Sequence, residues 1–182
     1  MPWLIAGGVI LLIVIFLVGL YNKLSSQKVV VEEAASDIET FLKQRYDMIP
    51  NLVEIVKGYA KHEKETFAEV TGLRSKAMSA GSLEEKMELE GQLEKGLSKI
   101  FAIAENYPEL KANENFIQLQ QTLESLENDI QKSRRYYNGA ARDFNTMIVV
   151  FPNSIIANMF NFKKVAFFEA TEEEKKNVEI KF

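Results

Sequence analysis

The chain has 182 residues, a formal net charge of −4 and a pI near 5.3. This excess of acidic residues argues against a nucleic-acid-binding groove, which needs a basic stripe. The sequence has no cysteine, which excludes disulfides and thiolate metal sites. Beyond an apolar N-terminal stretch, the remainder fits one domain of about 150 residues.

The N-terminal stretch predicts a transmembrane anchor over residues 1–21. From Trp3 to Leu20 no side chain is charged, and the run is near the lower length limit for crossing a bilayer of about 30 Å. Trp3 and Tyr21 lie at its ends, where aromatic rings suit the headgroup layers. No basic residue precedes the run and no A-x-A-like site follows it, so an uncleaved anchor is favoured over a signal peptide.

The flanking charges predict the orientation of this single span. Lys23 and Lys28 follow the apolar run, and cationic flanks stay on the cytoplasmic side. We therefore expect the N-terminus outside and the C-terminal domain in the cytoplasm.

Apolar residues at spacings of three and four predict the first two bundle helices. Val30, Ala34, Ile38 and Phe41 mark the first helix. Asp47 at an N-cap position and Pro50 in the turn behind it predict a break near residues 46–49. The second helix then carries an apolar stripe and ends in the turn at residues 79–82; the stripe comprises Leu52, Val56, Tyr59, Phe67, Val70, Leu73 and Ala77.

Two further helices follow. Ser82 and Glu85 predict a capping box for the third helix. Its two internal glycines, Gly91 and Gly96, either weaken it or permit close helix contact. Its stripe comprises Leu89, Leu93, Leu97, Ile100 and Ala104. Asn113 is the expected cap of the fourth helix, whose stripe comprises Phe116, Leu119, Leu123, Leu126, Ile130, Ser133, Tyr137, Ala140 and Phe144.

The predicted fold class is all-α: an N-terminal transmembrane helix followed by an antiparallel up-and-down four-helix bundle. The domains are residues 1–21 as anchor, 22–150 as bundle, and 151–182 as a short helix with an extended C-terminal segment packing on or beyond the bundle. The short helix is expected at residues 155–160, and residues 171–182 are expected to form an exposed tail.

No catalytic, cofactor-binding or metal-binding residue is predicted, so the chain is not expected to be an enzyme. Its single histidine, His62, lacks the partners of a di-iron site, and Thr66 stands where H-E-x-x-H needs a second histidine. Phosphate-binding glycine loops and the G-x-S-x-G motif are absent from the sequence. We expect His62 on a helix surface or in an interhelical hydrogen bond.

Two polar clusters form a candidate interaction patch. The first lies at helical spacing and comprises Arg134, Arg135, Asn138 and Arg142, and the second comprises Phe162, Lys163 and Lys164. The patch suits an acidic partner or a lipid phosphate. The preferred alternative is internal: the arginines pair with Asp37, Glu54 or loop carbonyls, and the aromatic segment packs across the bundle end.

Several motifs together resemble the LemA family. They run in order along the chain and comprise Tyr21-Asn22, residues 45–53 (RYDMIPNLV), 57–63 (KGYAKHE), 105–113 (ENYPELKAN), 134–138 (RRYYN), Asn145 and Phe151-Pro152. The resemblance implies a bacterial cell membrane protein with one span, a cytoplasmic four-helix bundle and no established enzymatic activity. Magnetosome proteins are relatives, and members often neighbour membrane peptidases.

These considerations predict a non-enzymatic, membrane-anchored scaffold or adaptor that presents its helical bundle to a protein partner. By family analogy the partner is a membrane peptidase. Formation of a homo-oligomer is a further alternative. The anchor contacts membrane lipids, and no nucleic acid is expected. The alternative is a direct lipid-binding or membrane-remodelling protein acting through the C-terminal aromatic and basic segment.

Overall fold

The computed structural model describes residues 2–168, and this part of the chain is helical without strands. The predicted tail at residues 171–182 lies outside the described residues. The helices are α1 (Pro2–Tyr59), α2 (Lys64–Ser79), α3 (Leu83–Ala104), α4 (Pro108–Lys111), α5 (Glu114–Met147) and α6 (Asn153–Met159). The all-α class is confirmed, and α6 overlaps the expected short helix.

The described residues group into two compact units. Unit 1 comprises residues 2–36 and 134–167, and unit 2 comprises residues 37–133 with Phe168. Helices α1 and α5 each contribute residues to both units. The sequence-derived boundaries after residues 21 and 150 stay a prediction.

Within unit 1, the first part of α1 carries apolar side chains that no other described residue buries. Its most apolar stretch has no buried residue, and Trp3 is 87% exposed. Among the helices of residues 2–168, α1 alone is long and apolar enough to cross a membrane. The predicted apolar N-terminal helix is therefore confirmed.

Further along α1, the buried side chains recur at heptad spacing. Leu24 and Val31 are buried in unit 1, and Ile38, Arg45 and Leu52 continue the same row in unit 2. A row at intervals of seven stays on one face of a helix. The core face of α1 is therefore set by the sequence, although one member of the row is an arginine.

The predicted break near residues 46–49 is wrong, because α1 continues to Tyr59 and the chain turns at residues 60–63. Pro50 lies inside the helix and has no N–H for the carbonyl of Tyr46, four residues before it. Arg74 of α2 supplies the missing donor: its Nε donates to the Tyr46 carbonyl oxygen at 2.6 Å. The second predicted helix is consequently divided between α1 and α2.

The packing of α2 against α3 depends on a glycine. A Cβ added to Gly96 would lie 2.8 Å from Cγ2 of the buried Val70. The close helix contact permitted by Gly96 is thus confirmed. At the start of α3, Ser82 accepts from the backbone N–H of Glu85, and the Glu85 carboxylate accepts from the N–H of Gly81, so the predicted cap is present.

Helix α5 follows its predicted stripe closely. The Asn113 side chain accepts from the backbone N–H of Phe116 at 3.1 Å, which confirms the N-cap. Every residue of the stripe is buried except Ser133, which is half-buried. The 34-residue helix runs unbroken through the Arg134–Asn138 motif.

Candidate functional site

In unit 1, the chain after α6 is held against α5 by side-chain hydrogen bonds to its backbone. The Asn145 amide donates to the carbonyl of Val165 and accepts from its N–H, both at 2.9 Å. The Tyr137 hydroxyl donates to the carbonyl of Ala166 at 2.9 Å. These bonds replace the backbone partners that an irregular segment lacks. The neighbouring lysines, Lys163 and Lys164, are therefore held at a defined place.

Aromatic rings join the same segment to α1. The ring of Tyr21 lies 4.7 Å from that of Phe160 and 5.9 Å from that of Phe162. Phe162 also meets Phe144 of α5 edge-on at 6.3 Å. Ring pairs at these distances add to the stability gained from burial alone. The cluster fixes residues 160–162 beside the end of the apolar run.

A groove of about 710 Å³ lies between these elements of unit 1. We call it the lysine groove; its lining is Tyr21, Ser25, Lys28, Val29, Glu32, Phe144, Phe160, Asn161, Phe162, Lys163, Lys164 and Val165. Three lysines face one carboxylate, and the pair between Lys28 and Glu32 at 3.3 Å is more than half exposed. The groove therefore combines aromatic walls with net positive charge.

The structure divides the predicted interaction patch. Phe162, Lys163 and Lys164 line the lysine groove, whereas Arg134, Arg135, Asn138 and Arg142 do not. Arg135 and Arg142 are exposed, and Arg142 donates to its neighbour Asp143 at 3.3 Å. The three residues of the C-terminal cluster instead share the groove with residues of α1, among them Tyr21 and Lys28.

His62 lies in the exposed turn between α1 and α2. The expectation of a helix-surface or interhelical position is therefore wrong, because α1 ends three residues earlier. Within residues 2–168, no group of three or more His, Asp or Glu side chains is placed to hold a metal ion.

Unit 2 contains a buried charged network that the sequence reading missed. Arg45 is 2% exposed and donates through Nη1 to Glu90, which is fully buried, at 2.8 Å. Tyr46 donates its hydroxyl to the other Glu90 oxygen, and the second terminal nitrogen of Arg45 contacts Glu127. Since buried charges need close partners, these four residues couple α1, α3 and α5.

One sequence signal could have revealed Glu90. The predicted stripe of α3 began at Leu89, which is half-buried, whereas Glu90 shares the spacing of the buried Leu93 and Leu97. Arg45 likewise occupies the buried heptad row of α1. Two opposite charges at core positions of two helices indicate an internal pair.

Together, these features define a membrane-associated protein that, over residues 2–168, is helical without strands and has one long apolar helix at its N-terminus. The sequence profile of the LemA family matches residues 34–182. The chain belongs to the LemA family.

Known relatives agree with this assignment. The chain is 29% identical to Protein LemA of Metamycoplasma hominis over 163 residues, which cover 89% of this chain and 74% of that protein. It is 22% identical to Magnetosome protein MamQ 2 of Paramagnetospirillum magneticum and to Magnetosome protein MamQ of Magnetospirillum gryphiswaldense. These matches cover 82% and 81% of this chain but 64% of each magnetosome protein.

Proposed function

We propose that the protein is a non-enzymatic, membrane-anchored scaffold or adaptor whose helical body binds a protein partner. The observation that carries the proposal is the uncovered apolar surface of α1, whose most apolar stretch has no buried residue. An apolar helix of this length is stable in lipid, whereas the charged outer surface of unit 2 suits water. The magnetosome relatives support a role at a membrane.

Within unit 2, we propose an antiparallel up-and-down four-helix arrangement of α1, α2, α3 and α5. Arg45 contacts Glu127, and fourteen residues later on α1 the Tyr59 hydroxyl accepts from Asn113, fourteen residues earlier on α5. Asn113 is the N-cap of α5, directly before its first residue, so this pair of contacts supports opposite directions for α1 and α5. The buried pair of Arg45 and Glu90 adds α3 to the same core.

The proposed topology is a single span in a bacterial cell membrane, with the N-terminus outside and the C-terminal domain in the cytoplasm. It is supported by Lys23 and Lys28 behind the apolar run. Because the chain has no cysteine, Gln121→Cys provides one labelling site on the exposed surface of α5. In intact cells, a membrane-impermeant maleimide should label this position only after permeabilisation. Labelling in intact cells would contradict the proposed topology and support the opposite orientation.

A partner is best sought by photocrosslinking of the full chain in native membranes. A photoreactive side chain is placed at Met78 or Ile117, which are half exposed on unit 2, and at the buried Leu93 as the matched control. The proposal predicts a discrete product from an exposed position and none from Leu93. A second, differently tagged copy of the chain identifies homo-oligomers. Absence of any product at the exposed positions would contradict the adaptor function.

The lysine groove favours a second candidate function, direct binding of anionic lipid. Its three lysines suit a lipid phosphate, and its aromatic walls suit the adjoining glycerol and acyl carbons. The groove begins at Tyr21, the first residue after the apolar run, which is the level expected for headgroups.

Native mass spectrometry of the full chain, titrated with phosphatidylglycerol or phosphatidylcholine of equal acyl length, tests this candidate. Lys28→Ala, Lys163→Ala and Lys164→Ala together should weaken the phosphatidylglycerol complex about tenfold or more. The charge-matched control replaces Lys23, Lys43 and Lys61, which lie outside the groove. Equal losses in both variants would show a nonspecific charge effect and exclude the groove as a lipid site.

A further inference from the structure

Besides the first part of α1, unit 1 contains a second uncovered apolar surface. It spans the turn after α5 and the short helix α6, and its exposed members are Val149, Val150, Phe151, Ile155, Met159 and Phe160. Phe151 is 80% exposed and Met159 is 64% exposed. We call residues 149–160 the apolar wedge. Clustered apolar side chains of this size mark a contact surface rather than ordinary exposure.

The wedge adjoins the end of the apolar run in unit 1. On its N-terminal side, Phe144 lines the lysine groove together with Tyr21, and α5 ends three residues later at Met147. On its C-terminal side, the ring of Phe160 packs on Tyr21 at 4.7 Å. The C-terminal end of the wedge therefore lies at the level where α1 leaves its apolar run, and its N-terminal end follows the groove residue Phe144 by five residues.

The wedge is folded rather than an unstructured loop. The N–H of Ser154 donates to the carbonyl of Val150, and that of Phe162 donates to the carbonyl of Ala157. Ile156 and Ala157 are buried inside unit 1, so only the opposite side of α6 is uncovered. This arrangement has the buried and exposed faces of an interfacial helix.

We propose that the apolar wedge is a second membrane-embedded element, lying in the interfacial layer of the leaflet from which α1 emerges. The occupant of this surface is the bilayer, because the wedge is continuous at Tyr21 with the part of α1 that also requires lipid. Lys163 and Lys164 follow the wedge after two intervening residues and are exposed, so they meet the phosphate layer above it. This inference rests on the anchoring of α1 in the proposed function.

The proposed position of the wedge predicts the depth of individual residues in the membrane. An interfacial element buries its apolar face about 5–10 Å into the boundary between headgroups and acyl chains. Because the native chain has no cysteine, Phe151→Cys and Met159→Cys can each carry one spin label without removal of other thiols. Val14→Cys provides the lipid control on α1, and Gln121→Cys provides the water control on α5.

The experiment uses the full chain reconstituted in phosphatidylcholine and phosphatidylglycerol vesicles. Electron paramagnetic resonance compares the accessibility of each label to oxygen, which concentrates in lipid, and to a water-soluble nickel chelate. Labels at Phe151 and Met159 should favour oxygen, at a depth shallower than Val14. Circular dichroism checks that each labelled variant keeps the helical content of the parent.

Each alternative outcome contradicts a specific statement. Labels at Phe151 and Met159 that resemble Gln121 would place the wedge in water and overturn the inference. Labels shielded from both reagents would indicate cover by a second copy of the chain, and would equally overturn it. If Val14 also favours the nickel chelate, the anchor itself is absent from the bilayer and the proposed function fails as well.

Discussion

Arg45 and Glu90 form an ion pair of 2.8 Å whose two side chains are almost entirely removed from solvent. Glu127 is the second carboxylate at this arginine, and Tyr46 is a second donor to Glu90. Such a pair contributes little relative to well-packed apolar residues, but loss of one partner leaves a buried charge without compensation. The network therefore gives a sharp test of the core of unit 2.

Replacement of Arg45 by Met should destabilise the full chain by about 3–5 kcal/mol. The matched control is Lys99→Met, which removes the exposed pair between Lys99 and Glu69 at 2.9 Å and should cost about 0–1 kcal/mol. The free energy of unfolding of both variants is measured by denaturant titration in detergent micelles, with circular dichroism as the signal. The double variant Arg45→Met, Glu90→Leu should recover part of the loss. Equal effects of the two single variants would refute the buried network.

Gly96→Ala should destabilise the contact of α2 with α3, although alanine favours helix by about 1 kcal/mol. The added Cβ would lie 2.8 Å from Cγ2 of Val70, a stiff and buried side chain, and overpacking of this kind costs about 1–3 kcal/mol. Val70→Ala should restore part of the stability in the double variant. Gly72→Ala, where an added Cβ meets nothing within 4 Å, should be stabilising. The same unfolding assay would contradict this account if the two glycine variants behaved alike.

Arg74→Ala should cost about 1.5–3 kcal/mol, because the Tyr46 carbonyl loses its charged donor. Pro50→Ala supplies a helical N–H to that carbonyl, so the loss of Arg74 should cost less in this background. A double-mutant cycle of unfolding free energies gives the coupling between the two positions. Additive effects would show that Arg74 does not compensate for the proline.

Asn145→Ala should release the segment that carries Lys163 and Lys164, since both hydrogen bonds to the Val165 backbone are lost. At about 0.5–1.5 kcal/mol for each bond, local opening and tryptic cleavage after these lysines should increase roughly tenfold. Asn128→Ala is the control, because its amide donates to the carbonyl of Glu124 within its own helix. Cleavage that is unchanged in Asn145→Ala would show that other contacts hold the segment.

The regular parts of the fold could be predicted from local sequence patterns. The three-and-four spacing from Phe116 to Phe144 predicted the buried face of α5, and Asn113 predicted its start. Both signals arise within one helix, where side-chain spacing and the unpaired N–H groups of the first turn act over short distances.

Local patterns could not predict that α1 continues through Pro50. Pro50 is compatible with the first turn of a new helix or with the interior of a longer one, and its neighbours do not decide between them. The decision depends on Arg74, twenty-eight residues beyond Tyr46, which satisfies the carbonyl that the proline leaves open.

The candidate site was likewise predicted only in part from the sequence. Phe162, Lys163 and Lys164 stood out in the sequence as an aromatic and basic cluster, and the structure adds Tyr21 and Lys28 to it. The sequence could not add Tyr21 and Lys28 to this cluster, because helical spacing reports only neighbours on one helix. Contacts such as that of Tyr21 with Phe160 join positions far apart in the chain.

The sequence by itself determined the all-α class, the apolar N-terminal helix, the buried face of α5 and the caps at Ser82 and Asn113, because periodicity, hydropathy and capping are local properties. Only the tertiary structure decided that α1 continues through Pro50, that Glu90 is buried with Arg45, and that the lysine groove forms beside Tyr21. In each of these cases, the free energy that decides the outcome comes from a partner on another segment, which no local pattern specifies.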